Sequence, residues 1–368
     1  MSLTFDLEKF LVDVFDPVSG ESVAVVVDRP IPGVPDHDAW RERRAMAGDV
    51  ARGSCAPRSD ESASRRCPWS ASRRPAEAAR IFPARVKRPS GRSRWRPCLD
   101  GTSLLLALTE FSMTAALCDV CKRRPGADVF RAASMPGVQK WMEETSLAAD
   151  YREVARRCRI LKEAFTGADR AEVLFSTGHR CLFDLRHRVC EADDGYLHRD
   201  KNDDIPVINL PSGETFEVPY EGEIAGDPSR TQESFPSTRT AKRSCSASTA
   251  NRIVEVVGSG AVAERYRSFF RADPVRGNVA EIAFGCNDDA KVTGNVLEDE
   301  KAGFHWAYGR SDHLGGKVGL AEFRSPANVV HQDIVYANGS PIAVASAELV
   351  QSGGRRTAVI RDGAYVLW

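Results

Sequence analysis

The chain has 368 residues, 42% of them hydrophobic, which is enough for two ordinary domains with real cores and excludes a peptide, a coil or a disordered tail. Its 51 Lys and Arg balance 51 Asp and Glu, so no net field draws it to nucleic acid or anionic lipid. Any charged partner has to be read locally. Residues 1–15 alternate acids with apolar residues and lack the basic start and apolar centre of a secretory signal. The longest apolar stretch, 104–121, contains Glu110 and Asp119 and reads as a buried strand and helix rather than a membrane span. A soluble, cytoplasmic protein is expected, with no membrane partner.

In chain order, the continuous apolar run 23–27 is the first predicted strand, and 104–108 is another. Both have the length of buried strands in a mainly parallel sheet. Between them the composition changes abruptly, over about 37–100. Residues 51–100 hold 12 Arg against the single Lys87, with Ser, Pro and Cys filling much of the rest. Runs such as Ser64-Arg65-Arg66-Cys67-Pro68 and Arg92-Ser93-Arg94-Trp95-Arg96-Pro97 show neither helical nor strand periodicity. Three readings compete here: a basic, aromatic-interleaved nucleic-acid-binding stretch, a disordered insertion, or a GC-rich coding region read out of frame. The last is favoured, because apolar periodicity resumes sharply at Leu104; nucleic acid is then not an expected partner. A shorter patch, 233–251, has the same character.

The ten cysteines fall at irregular spacings, so reduced thiols are expected. Cys118 and Cys121 form a lone CxxC without the second pair that a structural zinc site needs. The clearest helix is predicted over 150–165. Val154, Cys158, Leu161 and Phe165 share one face, Asp150 and Glu153 form a capping box, and Gly167 stops the helix. From Glu172 onward short alternating segments punctuated by Gly, Asn, Asp and Pro indicate a strand-rich second domain. The chain is therefore divided into an N-terminal α/β domain at 1–168 and a C-terminal domain at 169–368.

His305, His313 and His331 cluster in the last third among carboxylates. His331 and Asp333 flank Gln332, which puts both side chains on one side of an extended strand, and an imidazole with a carboxylate suits zinc, cobalt, manganese or iron. The same pattern occurs at His198-Arg199-Asp200, so alone it is weak. Glu281 lies inside the apolar run 279–284, where a carboxylate is costly to bury without a compensating cation. Arg276 or Arg310 would provide a plain salt bridge; a metal shared among several carboxylates would explain more of the acids together.

The segment Asn209-Leu210-Pro211-Ser212-Gly213-Glu214-Thr215-Phe216-Glu217-Val218-Pro219 resembles the NLPxGExFxxP motif of metallo-aminopeptidases of the aminopeptidase T type, often described as leucyl aminopeptidases. Later segments agree in order: NVAEIAFGCN at 278–287, TGNVLEDEKAGFH at 293–305, GGK at 315–317 and HQD at 331–333, with GHRCLFDLRHR at 178–188 preceding them. Residues 170–350 carry the resemblance well and the first half only loosely.

The resemblance implies a two-domain α/β protein whose C-terminal metallopeptidase domain holds two divalent ions, zinc, cobalt or manganese. It also implies a peptide substrate cleaved at its N-terminal residue, and a homodimer. The implied ligands are Glu214, Glu281, Glu300, His305, His331 and Asp333, with Glu281 bridging and Glu281 and Glu300 as the catalytic pair. Glu217 and Glu298 are expected at the surface. Where the family often has a tyrosine after the histidine matching His305, this chain has Asp312 and His313, with Tyr308 earlier; Tyr308 and His313 are possible accessory residues. Two alternatives stay open. One is a ring-cleaving dioxygenase of the same fold group, with a single iron held by two histidines and one carboxylate; the other is a degenerate, non-catalytic relative.

Overall fold

The computed structural model describes residues 5–30, 33–53, 79–84, 101–121, 130–201, 206–237, 244–337 and 340–368. Two compact units divide the chain. One comprises Met1–Ala155 with Asp193–Ser212, the other Arg156–Ala192 with Gly213–Trp368. This differs from a single cut at 168/169, because the strand Val207–Asn209 returns to pair in parallel with Arg131–Ser134 of the first unit.

The first unit is built on a five-stranded parallel sheet in the order Ala79–Ala84, Val23–Asp28, Leu104–Leu108, Arg131–Ser134, Val207–Asn209. Every residue of Val23–Asp28 and Leu104–Leu108 is buried, the pattern of strands covered on both faces. Ala24, Val26, Leu105 and Ala107 pack there with Leu117 and Cys121 of the helix Thr114–Cys121. The helix Leu7–Phe15 begins where Asp6 accepts the N–H groups of Glu8 and Lys9 and buries Phe10, Leu11, Val14 and Phe15.

Part of the Arg-rich region is ordinary core. The helix Asp38–Gly53 buries Trp40, Met46, Ala47 and Val50, and the Trp40 indole N–H donates to Asp28 Oδ1 at 2.6 Å. The strand Ala79–Ala84 pairs with Val23–Asp28. The expectation that all of 37–100 lacks regular structure is therefore corrected for these two segments; 54–78 and 85–100 lie outside the described residues. In 233–251 the strands Gln232–Ser237 and Ser244–Thr249 pair antiparallel, while 238–243 lie outside the described residues.

The second unit is largely antiparallel. One sheet of eight strands runs in the order Arg252–Val257, Ser244–Thr249, Gln232–Ser237, Arg180–Asp184, Ala168–Phe175, Val344–Gln351, Arg356–Arg361, Ala364–Tyr365. In the other, His331–Val335, Phe304–Gly309, Val279–Gly285 and Glu214–Glu217 lie side by side. Aromatic rings join the two sheets: Phe304, beside its cross-strand partner Phe284, meets Phe175 at 6.1 Å and Phe183 at 6.2 Å between centroids. The helix Tyr151–Phe165 starts where Asp150 accepts the Arg152 N–H, and its Phe165 reaches Phe284 at 5.7 Å. Among the described residues no helix is long and apolar enough to cross a membrane. Cys118, Cys121, Cys158, Cys181, Cys190 and Cys286 carry free thiols.

Candidate metal centre

Strand register assembles the site. Glu214 stands opposite Gly285, Ala283 opposite both Phe216 and His305, Ala307 opposite both Glu281 and Asp333, and Gly309 opposite His331. Directly opposed residues share a face and alternate residues along a strand return to it. Glu214, Glu281, His305, His331 and Asp333 therefore project from one face. Ile282, Phe284, Phe304, Trp306 and Tyr308 occupy the other. A register irregularity lies between Val279 and Glu281, directly before the Glu281 carboxylate.

Two glycines permit close approaches around this face. A side chain at Gly285 would lie 2.2 Å from the Glu300 carbonyl oxygen and 2.7 Å from Gly303 N, so only glycine lets the turn Glu300–Ala302 sit against the strand end. At Gly309 φ is +113°, and a Cβ would stand 2.1 Å from the Val330 carbonyl oxygen, just before His331.

Two groups of three ligand atoms result, Glu214–Glu281–His305 and Glu281–His331–Asp333, each with its atoms within 4.8 Å of one another. Glu281 belongs to both. Its Oε1 lies 3.7 Å from His305 Nε2 and its Oε2 lies 3.0 Å from His331 Nε2. Glu214 Oε2 is 3.2 Å from His305 Nε2, and Asp333 Oδ1 is 3.6 Å from His331 Nε2. The expected arginine partners go elsewhere: Arg276 bonds Asn328, and Arg310 pairs with Asp312.

The imidazoles are oriented as metal ligands are. His305 Nδ1 lies 3.2 Å from the Gly303 carbonyl oxygen and His331 Nδ1 lies 2.7 Å from that of Arg310. A carbonyl can only accept, so each Nδ1 carries the hydrogen and each Nε2 lone pair is turned to the carboxylates. Lone pair facing carboxylate is repulsive unless a proton or a metal cation lies between. Glu214 Oε2 and His305 Nε2 are both buried without a hydrogen-bond partner; they are close enough for one, but the geometry does not align it. A divalent cation would satisfy both atoms, and the mixed oxygen and nitrogen set suits zinc, cobalt, manganese or iron.

The electrostatics agree. Burial opposes ionisation of Glu281, yet His305 and His331 hold its carboxyl well below the usual range. Burial opposes ionisation of Glu214 too, and Lys301 with His305 hold it low. Burial disfavours charged imidazoles, but Glu214 and Glu281 raise His305, and Asp333 and Glu281 raise His331, well above the ordinary histidine value.

The remaining expected residues fall in different places. Glu300 joins neither group of three; its Oε1 accepts from Lys301 Nζ at 2.8 Å, and burial, opposed by Lys301 and reinforced by Glu214 and Asp333, pushes it up to about 8. Tyr308 is on the opposite face, with its ring 5.3 Å from Phe270 and 6.1 Å from Trp306, so the structure does not bring it to the site. His313 is at the rim, its ring 4.9 Å from that of His331; burial, with His331 and Arg310, pushes it down to about 4. Glu217 and Glu298 are buried, not at the surface as expected. Glu217 lies on the packed face, and Glu298 accepts the Lys291 N–H at 3.1 Å. His198 is tied to the Asp13 carbonyl at 2.9 Å, and Asp200 accepts from Tyr196. Sequence reasoning passes over Lys301, whose ammonium is fully buried between Glu214 and Glu300. The available signal is a lysine directly after a ligand-type glutamate.

No family model and no curated protein matches the chain. Among solved structures, 2,5-dihydroxypyridine dioxygenase from Pseudomonas putida KT2440 aligns with a TM-score of 0.62 at 14% identity, covering 98% of this chain and 96% of that one. Wild-type AmpT from Thermus thermophilus aligns with a TM-score of 0.55 at 14% identity, covering 98% of each chain. At that identity the likeness establishes the fold: a mixed α/β protein with one parallel sheet and antiparallel sheets, bearing residue groups able to bind metal.

Proposed function

We propose that the chain is a metal-dependent aminopeptidase that removes the N-terminal residue of peptides with two divalent cations, zinc, cobalt or manganese. The observation that carries the reading is Glu281, whose two oxygens face two different imidazoles, the arrangement of a carboxylate shared between two ions. The ordered motifs of the aminopeptidase T type and the likeness to AmpT support it.

Glu214 and His305 would hold one ion and His331 with Asp333 the other, with Glu281 common to both. Bound there, the pair would supply Lewis acidity toward a peptide carbonyl and a lowered pKa for an attacking water. The chain's own contribution is orientation. The Gly303 and Arg310 carbonyls fix both imidazoles, and the packed opposite face keeps the strands from shifting. Glu300, beside Glu214 and Asp333, is the carboxyl assigned to proton transfer, while Glu281 acts as the shared ligand.

The second reading is a ring-cleaving dioxygenase with one iron, supported by the likeness to the Pseudomonas putida enzyme. The group Glu281–His331–Asp333 has two carboxylates and one imidazole, whereas the iron triad of oxygenases has two imidazoles and one carboxylate, which favours the peptidase. Metal analysis of protein loaded separately with zinc, cobalt, manganese and ferrous iron, combined with hydrolysis of amino-acyl p-nitroanilides, tests the choice. About two ions per chain, with cleavage that stops when the substrate amine is acetylated, is the expected result. One iron per chain with oxygen-dependent opening of a dihydroxypyridine ring would replace it.

A further inference from the structure

Lys301 has no place in the two-cation scheme as described, and its environment is unusual. Its side chain is fully buried, and Nζ donates to Glu214 Oε1 at 2.5 Å and to Glu300 Oε1 at 2.8 Å. Burying an ammonium is costly, so its carboxylate partners hold it in place. The backbone fixes it as well. Asn287 N donates to the Lys301 carbonyl at 3.1 Å, Gly285 N donates to the Gly303 carbonyl at 3.0 Å, and the bare Gly285 lets the turn close against the strand.

The two oxygens of Glu214 are thus divided. Oε1 is bound by Lys301, while Oε2 faces His305 and has no hydrogen-bond partner. In the other group the carboxylate of Asp333 faces His331, and among the described residues neither Asp333 nor Glu281 pairs with a lysine or an arginine. A dication on Glu214 would share that carboxylate with an ammonium already in contact with it. Like charges a few ångströms apart in a buried pocket repel strongly.

We propose that Lys301 makes the two cation positions unequal. The position formed by Glu281, His331 and Asp333 fills first and tightly; the position formed by Glu214, Glu281 and His305 fills second and weakly, against the resident ammonium. The inference rests on the two-cation reading above and deepens it: the second cation becomes the exchangeable one, and loading of that half depends on the free divalent concentration.

The test is calorimetric titration of the metal-free, full-length protein with manganese(II) alone, compared with Lys301→Gln and Glu214→Gln. The wild-type chain is expected to show two binding classes. In Lys301→Gln, which keeps a hydrogen-bond donor without the charge, the weaker class tightens by at least about tenfold and the tighter class stays the same. In Glu214→Gln only the weaker class disappears, a result that stands even if Lys301→Gln does not fold. Two equal classes in the wild type, a smaller change in Lys301→Gln, or loss of the tighter class in Glu214→Gln overturns the proposal while leaving two cations in place. Saturation at one ion in the wild type and in Lys301→Gln overturns the two-cation reading and this inference with it.

Discussion

Arg131 and Glu21 form a fully buried ion pair in the first unit, Nη2 to Oε1 at 2.6 Å, with side-chain exposures of 1% and 2%. Arg131 also donates to the Phe15 and Leu197 carbonyls, and Glu21 also accepts from Arg199 and from the Val18 N–H. Removing one partner of such a pair leaves the other charged and desolvated. Glu21→Ala should lower unfolding stability by about 3–5 kcal/mol. Urea denaturation checks this, and a loss below about 1 kcal/mol, the range of an exposed pair, contradicts it.

Glu281→Gln should reduce metal retention and lower aminopeptidase turnover by at least about a thousandfold, because the shared carboxylate loses its charge toward both positions. The far-ultraviolet circular dichroism spectrum should be unchanged, since Gln has the same shape on the same strand. His331→Ala should behave alike. Full activity in either variant removes the assignment of Glu281 as a shared ligand.

Glu217 provides a pH-dependent contribution away from the metal face. Burial, opposed only by Arg188, pushes it up to about 8, and its Oε1 has no hydrogen-bond partner. Its folded pKa is above the ordinary glutamate value of about 4.3, so between those values the native chain binds more protons than the unfolded chain. This contribution to stability is complete below about pH 4 and is lost as pH rises through 8. Glu217→Gln, which mimics the protonated form, should gain on the wild type by up to about 1.4 kcal/mol per pH unit across that window. Paired denaturation curves at pH 5 and pH 8 are the measurement; a constant difference between the two proteins refutes the assignment.

Gly285→Ala should displace the Glu300–Ala302 turn, because a methyl group there would meet the Glu300 carbonyl oxygen at 2.2 Å. A loss of about 1–3 kcal/mol is expected, as for overpacking of a core. The metal position built on Glu214 and His305 should suffer more than that built on Asp333, since the methyl group would also meet Gly303 N at 2.7 Å and the Gly303 carbonyl holds His305. Manganese titration of the variant reads this difference; equal weakening of both positions contradicts it.

Much of this is legible in the sequence, for identifiable reasons. Residues 23–27 and Leu104–Leu108 are apolar throughout because both faces of their sheet are covered. The helix over 151–165 shows in its spacing because one face alone is buried. His331 and Asp333 share a face because a strand alternates, and Glu281 stands out as a charge in an apolar run. The helix Asp38–Gly53 is hidden because its buried Trp40, Met46, Ala47 and Val50 are diluted by the exposed Arg41 and Arg52, by Arg43, itself buried, and by the Arg-rich stretch that follows. Glu217 reads wrongly as a surface acid because its side faces the packed layer, which only the register between Glu214–Glu217 and Val279–Gly285 reveals. The role of Lys301 is hidden for a related reason: only the glutamate before it gives a signal, and its other partner Glu214 is 87 residues away.

The return of Val207–Asn209 to the parallel sheet has a consequence for synthesis. A nascent chain emerging from the ribosome has made the strands Ala168–Phe175 and Arg180–Asp184, which belong to the second unit, before the first unit receives its last strand. The amino-terminal sheet therefore keeps an open edge while foreign strands are already outside the tunnel, a period in which an unpaired edge is open to wrong partners. A chain ended at residue 168 would leave that edge open permanently, whereas one that carries residues 193–212 by a short splice would close it.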